Sequence, residues 1–256
     1  MFSIKTFNNI AQIGLDQFGE QSSVSADSDS ADAILLRSHK LQREVIMSSV
    51  KAIGRAGAGV NNVPVDWCTE HGIPVFNAPG ANANAVKELV MAGLLLGSRG
   101  IVSGISYVDE LSDMDDADAM NKLLEKEKKR FKGSEIQGKT LGVVGLGAID
   151  SQVANMAMMM GMNVVGYDPA ISIEAAWRLS GDVRKMDSLD TLLSKSDFVT
   201  LHLPVLDATR NLINADSLKS AKKGCKILNF ARSEIVDSDA VVSALDSGIL
   251  GAYIAD

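Results

Sequence analysis

Six residues, Gly145-Leu146-Gly147-Ala148-Ile149-Asp150, are the part of the sequence most open to a chemical reading. They follow the apolar run Leu141–Val144, which reads as a buried parallel strand. A glycine turn of this spacing lets backbone amides at a helix start approach a dinucleotide pyrophosphate. About 20 residues further on, Asp168 closes "NVVGYD", the place where an acid at a strand tip hydrogen-bonds an adenosine ribose. Together these features point to NAD, since a carboxylate followed by Pro169 and Ala170 disfavours a 2′-phosphate. Asp150 stands where the motif has its third glycine. Its side chain is expected to crowd the helix against the strand, at a cost on the order of 1–3 kcal/mol. It is also expected to compete with the pyrophosphate for amides, so that Asp150→Gly tightens binding. The alternative is a carboxyl that turns outward, caps neighbouring amides and leaves the turn usable.

Holding such a turn takes a parallel sheet wrapped by helices, and short apolar strands alternate with helical patterns along the chain. In the first third "ADAILLRS", "KAIGRAGAG" and "IPVFNAPG" read as strands. They are separated by "QREVIMSS" and by the helix "PVDWCTEHG", which stops at Gly72. The second series runs "TLGVVGLG", "NVVGYD", "DFVTLHLP", "CKILNFAR" and "LGAYIAD", with helices beginning near Asp150, Ser188, Asn214 and Asp237. Between the two series, residues 81–110 read as one long helix, and "LLEKEKKRF" reads as a solvated helix face. "SSVSADSDSAD" reads as a polar loop. A boundary near Gly100 gives domains 1–100 and 101–256.

The 256 residues suffice for one large domain or two ordinary ones, and 46% hydrophobic with 22% charged residues is the balance of a soluble globular protein. A formal charge of -7, without a clustered surplus of Lys and Arg, argues against nucleic acid as a partner. The apolar run Leu89–Leu96 is far short of the roughly 20 residues that span a bilayer. The amino terminus lacks a secretory pattern. Cys68 and Cys225 have no metal-binding or redox spacing, which fits a reducing cytoplasm and no structural metal. Of the three histidines, His71 reads as a helix cap and His202 as structural; His39 adjoins Arg37 and Ser38 but belongs to the other domain.

The segments "GRAGAGVNNVPVDWCTEHGIPVFNAPGANANAVKELV", "GKTLGVVGLGAI", "GMNVVGYDP", "DFVTLHLPV" and "ILNFARSEIVD" together resemble the D-isomer-specific 2-hydroxyacid dehydrogenases, most closely their phosphoglycerate dehydrogenase branch. The resemblance implies an α/β chain of two doubly wound parallel-sheet domains. A flavodoxin-like substrate domain would be followed by an NAD-binding Rossmann domain, the latter incomplete and cut after its fifth strand. It implies that Arg232 grips the substrate carboxylate as the catalytic arginine, a role that suits a planar, permanently charged guanidinium. By the same resemblance Arg37, Ser38, Arg55, Gly57, Ala58, Gly59 and Asn82 face the substrate. The cofactor would be held by Gly145, Gly147, Ala148, Ile149, Asp168, Leu203, Phe230, Ala231 and Asp256.

The implied reaction is NAD-dependent oxidation of D-3-phosphoglycerate to 3-phosphohydroxypyruvate, the small-molecule substrate being a phosphorylated 2-hydroxy acid. The family's general acid/base histidine and its glutamate lie beyond the segment matching the end of this chain, so the 256 residues alone are expected to be inactive. Other 2-hydroxy acids of the glycerate or glyoxylate type, or a non-catalytic NAD-binding corepressor-like role, are the alternatives. The apolar helix at Leu89–Leu96 is expected to face either a twofold partner, in a homodimer or higher homo-oligomer, or its own core.

Overall fold

Alternation of strand and helix resolves into two parallel sheets, seen in a computed structural model that describes residues 1–256, the side chain of Ala148 excepted. The chain divides into the units Met1–Asn82 and Ala83–Asp256. The division falls before the long apolar helix and not near Gly100. Val90, Met91 and Leu94 of that helix are buried in one cluster with Leu141, Val153 and Phe198, so it belongs with the second unit.

The first unit runs β1 (Phe2–Phe7), α1 (Gln12–Leu15), β2 (Ser22–Ser25), β3 (Ala33–Leu36), β4 (Ala52–Arg55), α2 (Val65–Glu70) and β5 (Val75–Asn77). Among the described residues its sheet has the order β2-β1-β3-β4-β5, every pair parallel, which is the flavodoxin-like order. Two sequence expectations are corrected here. Ser22–Ser25, taken for part of a polar loop, is an edge strand bonded only to β1; a strand with one free edge needs little apolar patterning. "QREVIMSS" forms only a single 3₁₀ turn at Arg43–Val45. Helix α2 ends as expected, with Gly72 in the left-handed region at φ +68°.

The second unit opens with α3 (Ala83–Ser98), α4 (Ile101–Asp109) and α5 (Ala117–Glu127). It continues with β6 (Thr140–Val144), α6 (Ala148–Met159), β7 (Asn163–Tyr167), α7 (Ile173–Ala176), β8 (Arg184–Lys185), α8 (Leu189–Lys195) and β9 (Phe198–Leu201). Its last elements are α9 (Ala215–Leu218), β10 (Cys225–Asn229), α10 (Ser238–Asp246) and β11 (Leu250–Ala255). Three of the helix starts placed from sequence carry their caps. Ser188, Asn214 and Asp237 each accept backbone amides of the following turn through the side chain.

The single helix expected over 81–110 is two helices bent by 67°. Backbone packing causes the break: a Cβ on Gly100 would lie 2.7 Å from the Phe131 Cα, and one on Gly133 would collide with the Ser98 carbonyl. Among the described residues no single helix is long and apolar enough to cross a membrane.

Among the described residues the second sheet has six strands in the order β11-β10-β9-β6-β7-β8, all parallel. Counted within the unit and read from the β8 edge, this is the Rossmann order 3-2-1-4-5-6. The count of five strands is thereby corrected to six. The uncounted strand is β8, two exposed residues with no apolar signature. At the centre of the sheet, Leu141, Val143, Val199, Leu201, Ile227 and Leu228 are essentially inaccessible, as expected for strands covered on both faces.

Candidate functional site

Strand register gathers the separate loop residues into one row. Val144 pairs with Tyr167 on one side and with Leu201 on the other; Leu201 pairs with Asn229, and Asn229 with Ala255. The residues one step further along each strand are Asp168, Gly145, His202, Phe230 and Asp256, which therefore lie side by side on the carboxyl edge. Between β6 and β9 the chain order reverses, and in open α/β sheets ligands bind outside the carboxyl ends at such a switch point.

The turn that joins β6 to α6 can only be glycine at its first position. Gly145 has φ +93°, and a Cβ there would lie 3.0 Å from the His202 carbonyl oxygen. The Leu146 amide donates to Asp168 Oδ2 at 2.9 Å, while Asp168 Oδ1 accepts from the Ala170 amide at 2.9 Å. Asp168 is thus fixed at the tip of β7 beside the turn. Gly147 is the N-cap of α6, a helix of 12 residues whose dipole and amides face the same edge. The Ile149 side chain packs on the core cluster; that of Ala148 lies outside the described residues. A left-handed glycine, a glycine N-cap and an acid at the second strand tip fit a dinucleotide with its pyrophosphate on the helix start and its ribose at Asp168.

Asp150 does not project from the helix start as a free carboxylate. Its side chain is 4% exposed; Oδ2 accepts the Gly147 amide, and Oδ1 lies 3.5 Å from Nδ1 of His202, itself 3% exposed. Burial pushes the Asp150 carboxyl up to about 7, against the two backbone amides that favour its charge, and the Asp168 carboxylate adds to the rise. Burial likewise pushes the His202 imidazole down to about 4. The group therefore caps Gly147 inward, toward the end of β9, and occupies one of the amides for which competition with a pyrophosphate is expected.

Arg232 follows β10 and is exposed, with Nη1 donating to the Ala231 carbonyl at 2.6 Å. Its loop is held by a residue that motif reading passed over. Asn229, 4% exposed, donates through Nδ2 to the Arg232 carbonyl at 2.9 Å and to Tyr253 Oη at 3.0 Å, and accepts the Ala231 amide at 3.2 Å. A buried amide that serves three backbone and side-chain partners fixes where Arg232 leaves the strand. Phe230 lies against α3, where a Cβ on Gly93 would come within 3.1 Å of its ring. Leu203 packs beside Gly145, and Asp256 is exposed just after β11.

In the first unit the substrate-side candidates also sit at carboxyl ends of strands. Arg37 and Ser38 follow β3, and Arg55 ends β4. The side chain of Asn8, a residue with φ +67°, accepts the amides of Ser38 at 3.0 Å and His39 at 2.6 Å. Asn62 Nδ2 donates to the carbonyls of Arg37 and His39. Gly57 has φ +148°, and a Cβ there would lie 1.6 Å from Arg55 Nη1, so the guanidinium crosses the loop where only glycine leaves room. Ala58 and Gly59 follow in the same loop, tied to β5 by the bond from Asn77 Nδ2 to the Ala58 carbonyl at 2.7 Å. Asn82 is exposed and ends the unit. Asn8 lies outside the quoted segments and Asn62 within one of them, but an Asn by itself gives no sequence signal for bracing a loop.

The other histidines are engaged locally. His71 caps α2, with Nδ1 2.8 Å from the Trp67 carbonyl and its ring stacked on Trp67, and His39 stacks on Phe7 at 4.5 Å. Both free thiols, Cys68 and Cys225, are buried, and no cluster of metal-ligating side chains occurs among the described residues. A cavity of about 870 Å³ opens at the other edge of the second sheet, lined by Thr140, Asn163, Arg184, Lys195 and Lys222 among others. It faces the strand beginnings, away from the glycine turn and from Asp168.

Comparison with known proteins agrees with this geometry. The profile of the D-isomer specific 2-hydroxyacid dehydrogenase catalytic domain matches residues 4–171, and that of the family's NAD binding domain matches residues 105–256. The chain belongs to the D-isomer specific 2-hydroxyacid dehydrogenase family, and its second unit is the NAD-binding domain. It is 40% identical over 229 residues to a D-3-phosphoglycerate dehydrogenase of Methanocaldococcus jannaschii, covering 88% of this chain and 41% of that one. It is 37% identical over 220 residues to a hydroxypyruvate reductase of Thermotoga maritima, covering 85% of this chain and 66% of that one. The chain thus spans less than two thirds of the length of these curated relatives. Among solved structures, the TT0316 protein from Thermus thermophilus superposes with TM-score 0.82 at 27% identity, over 99% of this chain and 81% of that one.

Proposed function

We propose that this chain forms the NAD site and most of the substrate-facing surface of a dehydrogenase that oxidises a phosphorylated 2-hydroxy acid, D-3-phosphoglycerate, at C2. The observation that carries the reading is the row at the carboxyl edge, where the glycine turn, Asp168 and the Arg232 loop share one register. NAD, when bound, supplies the hydride acceptor. Gly145, Gly147 and the α6 amides would receive its pyrophosphate and Asp168 its ribose. Phe230, Ala231, Leu203 and Asp256 would border the nicotinamide side, with the backbone of Ala148 and Ile149 at the helix start. Arg232 would grip the substrate carboxylate through two nitrogens and polarise the oxygen at C2. Arg37, Ser38, Arg55 and the 57–59 loop would face the remainder of the substrate, with Asn82 beside them; two guanidinium groups suit a phosphate ester.

Relatives named D-3-phosphoglycerate dehydrogenase support the substrate, and the Thermotoga hydroxypyruvate reductase keeps the unphosphorylated acid as the second reading. None of the chain's three histidines is set to take a hydroxyl proton: His71 caps a helix, His39 is stacked, and His202 is buried against Asp150. The 256 residues by themselves are therefore expected to bind NAD without turning over.

Titration calorimetry with NAD and NADP, followed by NADH absorbance with 3-phosphoglycerate, glycerate and lactate, tests the reading. NAD binding preferred over NADP by tenfold or more, without NADH formation, is the expected result. Preference for NADP would overturn the role of Asp168, and turnover would overturn the account of the histidines. The proposed enzyme is cytoplasmic and a homodimer or larger, and sedimentation tests the latter.

A further inference from the structure

Asp150 is the one place where the turn departs from its three-glycine pattern, and the substituted side chain is not idle. It links two elements that both bear on the cofactor. Oδ2 holds the Gly147 amide at the start of α6, and Oδ1, which makes no hydrogen bond, faces Nδ1 of His202 at 3.5 Å. His202 Nε2 in turn lies 2.9 Å from Thr200 Oγ1 within β9. Gly145 packs on the His202 carbonyl from the other side of the turn, so backbone and side chain of one residue brace both ends of the glycine motif.

We propose that Asp150 and His202 are a positioning pair that shares one proton and pins the glycine turn to the end of β9, so that dinucleotide affinity falls when that proton leaves. The inference rests on the NAD site proposed above. The atoms assign the proton. Oδ2 is an acceptor for the Gly147 amide, so the carboxyl proton sits on Oδ1 and points at Nδ1; the imidazole is then the Nε2–H tautomer, donating to Thr200. A neutral acid beside the helix start leaves its dipole free for the pyrophosphate, whereas a carboxylate there opposes a second anion on the same amides. Burial of both partners, which holds Asp150 up at about 7 and His202 down at about 4, fits a pair that keeps its single proton on the acid between those two values.

The titratable groups that face Asp150 are His202 from the end of β9 and Asp168 from the tip of β7. From β6 only the turn backbone approaches, and the α3 side of α6 is apolar, with Val90, Met91 and Leu94 in one cluster with Val153, Ala154 and Ala157.

Calorimetric NAD affinity of the full chain is measured between about pH 6 and about pH 8.5, for the parent, Asp150→Asn and Asp150→Gly. Histidine tautomers are read by ¹⁵N NMR without cofactor. The parent should lose roughly tenfold in affinity across the range while both variants stay flat. His202 should appear as the Nε2–H tautomer and show no titration near 6.5. Rescue of high-pH affinity by the isosteric Asn variant separates the charge from the shape of the side chain. Parallel pH profiles in parent and variants, or a His202 that titrates as an ordinary imidazole, would overturn the pair. Loss of NAD binding in every variant at every pH would instead overturn the cofactor site itself.

Discussion

The Asp150–His202 pair predicts a pH dependence of stability that is silent in the parent and appears with opposite signs in its two single variants. In the unfolded chain the aspartate titrates near 3.8 and the histidine near 6.5; in the folded chain burial moves them to about 7 and about 4. Between pH 4 and 6.5 the unfolded pair carries one proton on His202 and the folded pair one proton on Asp150. Proton uptake is equal, so the pair adds no slope.

Asp150→Asn leaves only a depressed histidine. Its stability contribution is present above 6.5 and lost as the pH falls toward about 4, a change of about 3 kcal/mol from a shift of roughly 2.5 units. His202→Gln leaves only a raised aspartate. Its contribution is present below 3.8 and lost as the pH rises through about 7, by about 4 kcal/mol. Urea unfolding at several pH values, read by hydrogen exchange of peptides from β6 and β9, isolates the second unit. Subtracting the parent removes every other titrating group. Slopes of the same sign in both variants, or none in either, would refute the reasoning.

Three further outcomes follow from the site. Asn229→Ala should cost about 2–3 kcal/mol and speed amide exchange at Ala231, because it removes bonds to the Arg232 carbonyl, Tyr253 and the Ala231 amide at once; Tyr253→Phe should cost about 1 kcal/mol by thermal unfolding. Gly145→Ala should lose NAD binding in calorimetry and about 1–3 kcal/mol of stability, since φ is +93° and the new Cβ would press on the His202 carbonyl. Neither thiol should react with iodoacetamide in the folded chain near pH 8, since burial raises Cys68 and pushes Cys225 up to about 12; labelling before unfolding, seen by mass spectrometry, would contradict this.

How much of this was legible depended on whether a residue's role is local. The strands β3 to β7 and β9 to β11 announced themselves by apolar runs, and the caps at Ser188, Asn214 and Asp237 by the chemistry of their own side chains. Gly145 and Asp168 were readable because turn and strand tip lie in one contiguous unit. β8 and β2 were not, because edge strands bury too little to need a pattern. The helix break at Gly100 is imposed by the backbone of residues 131–133, far along the sequence. The inward turn of Asp150 was likewise invisible, since its partner His202 comes from a strand whose adjacency to β6 is a fact of topology. Asn229, Asn8 and Asn62 brace loops at the strand ends with an ordinary amide, and only their partners reveal them.

The switch point between β6 and β9 also sets when the crevice can come into being. These neighbours are remote in the chain; the amide of Thr140 is bonded to the carboxylate of Asp197, 57 residues later. Closing so long a loop delays pairing relative to the nearby strand β7. On a ribosome, the glycine motif would emerge with one wall missing and remain an exposed turn until Leu203 had been translated. Nucleotide could not prime this fold early in synthesis; it could only reward a chain that had already brought its two halves together.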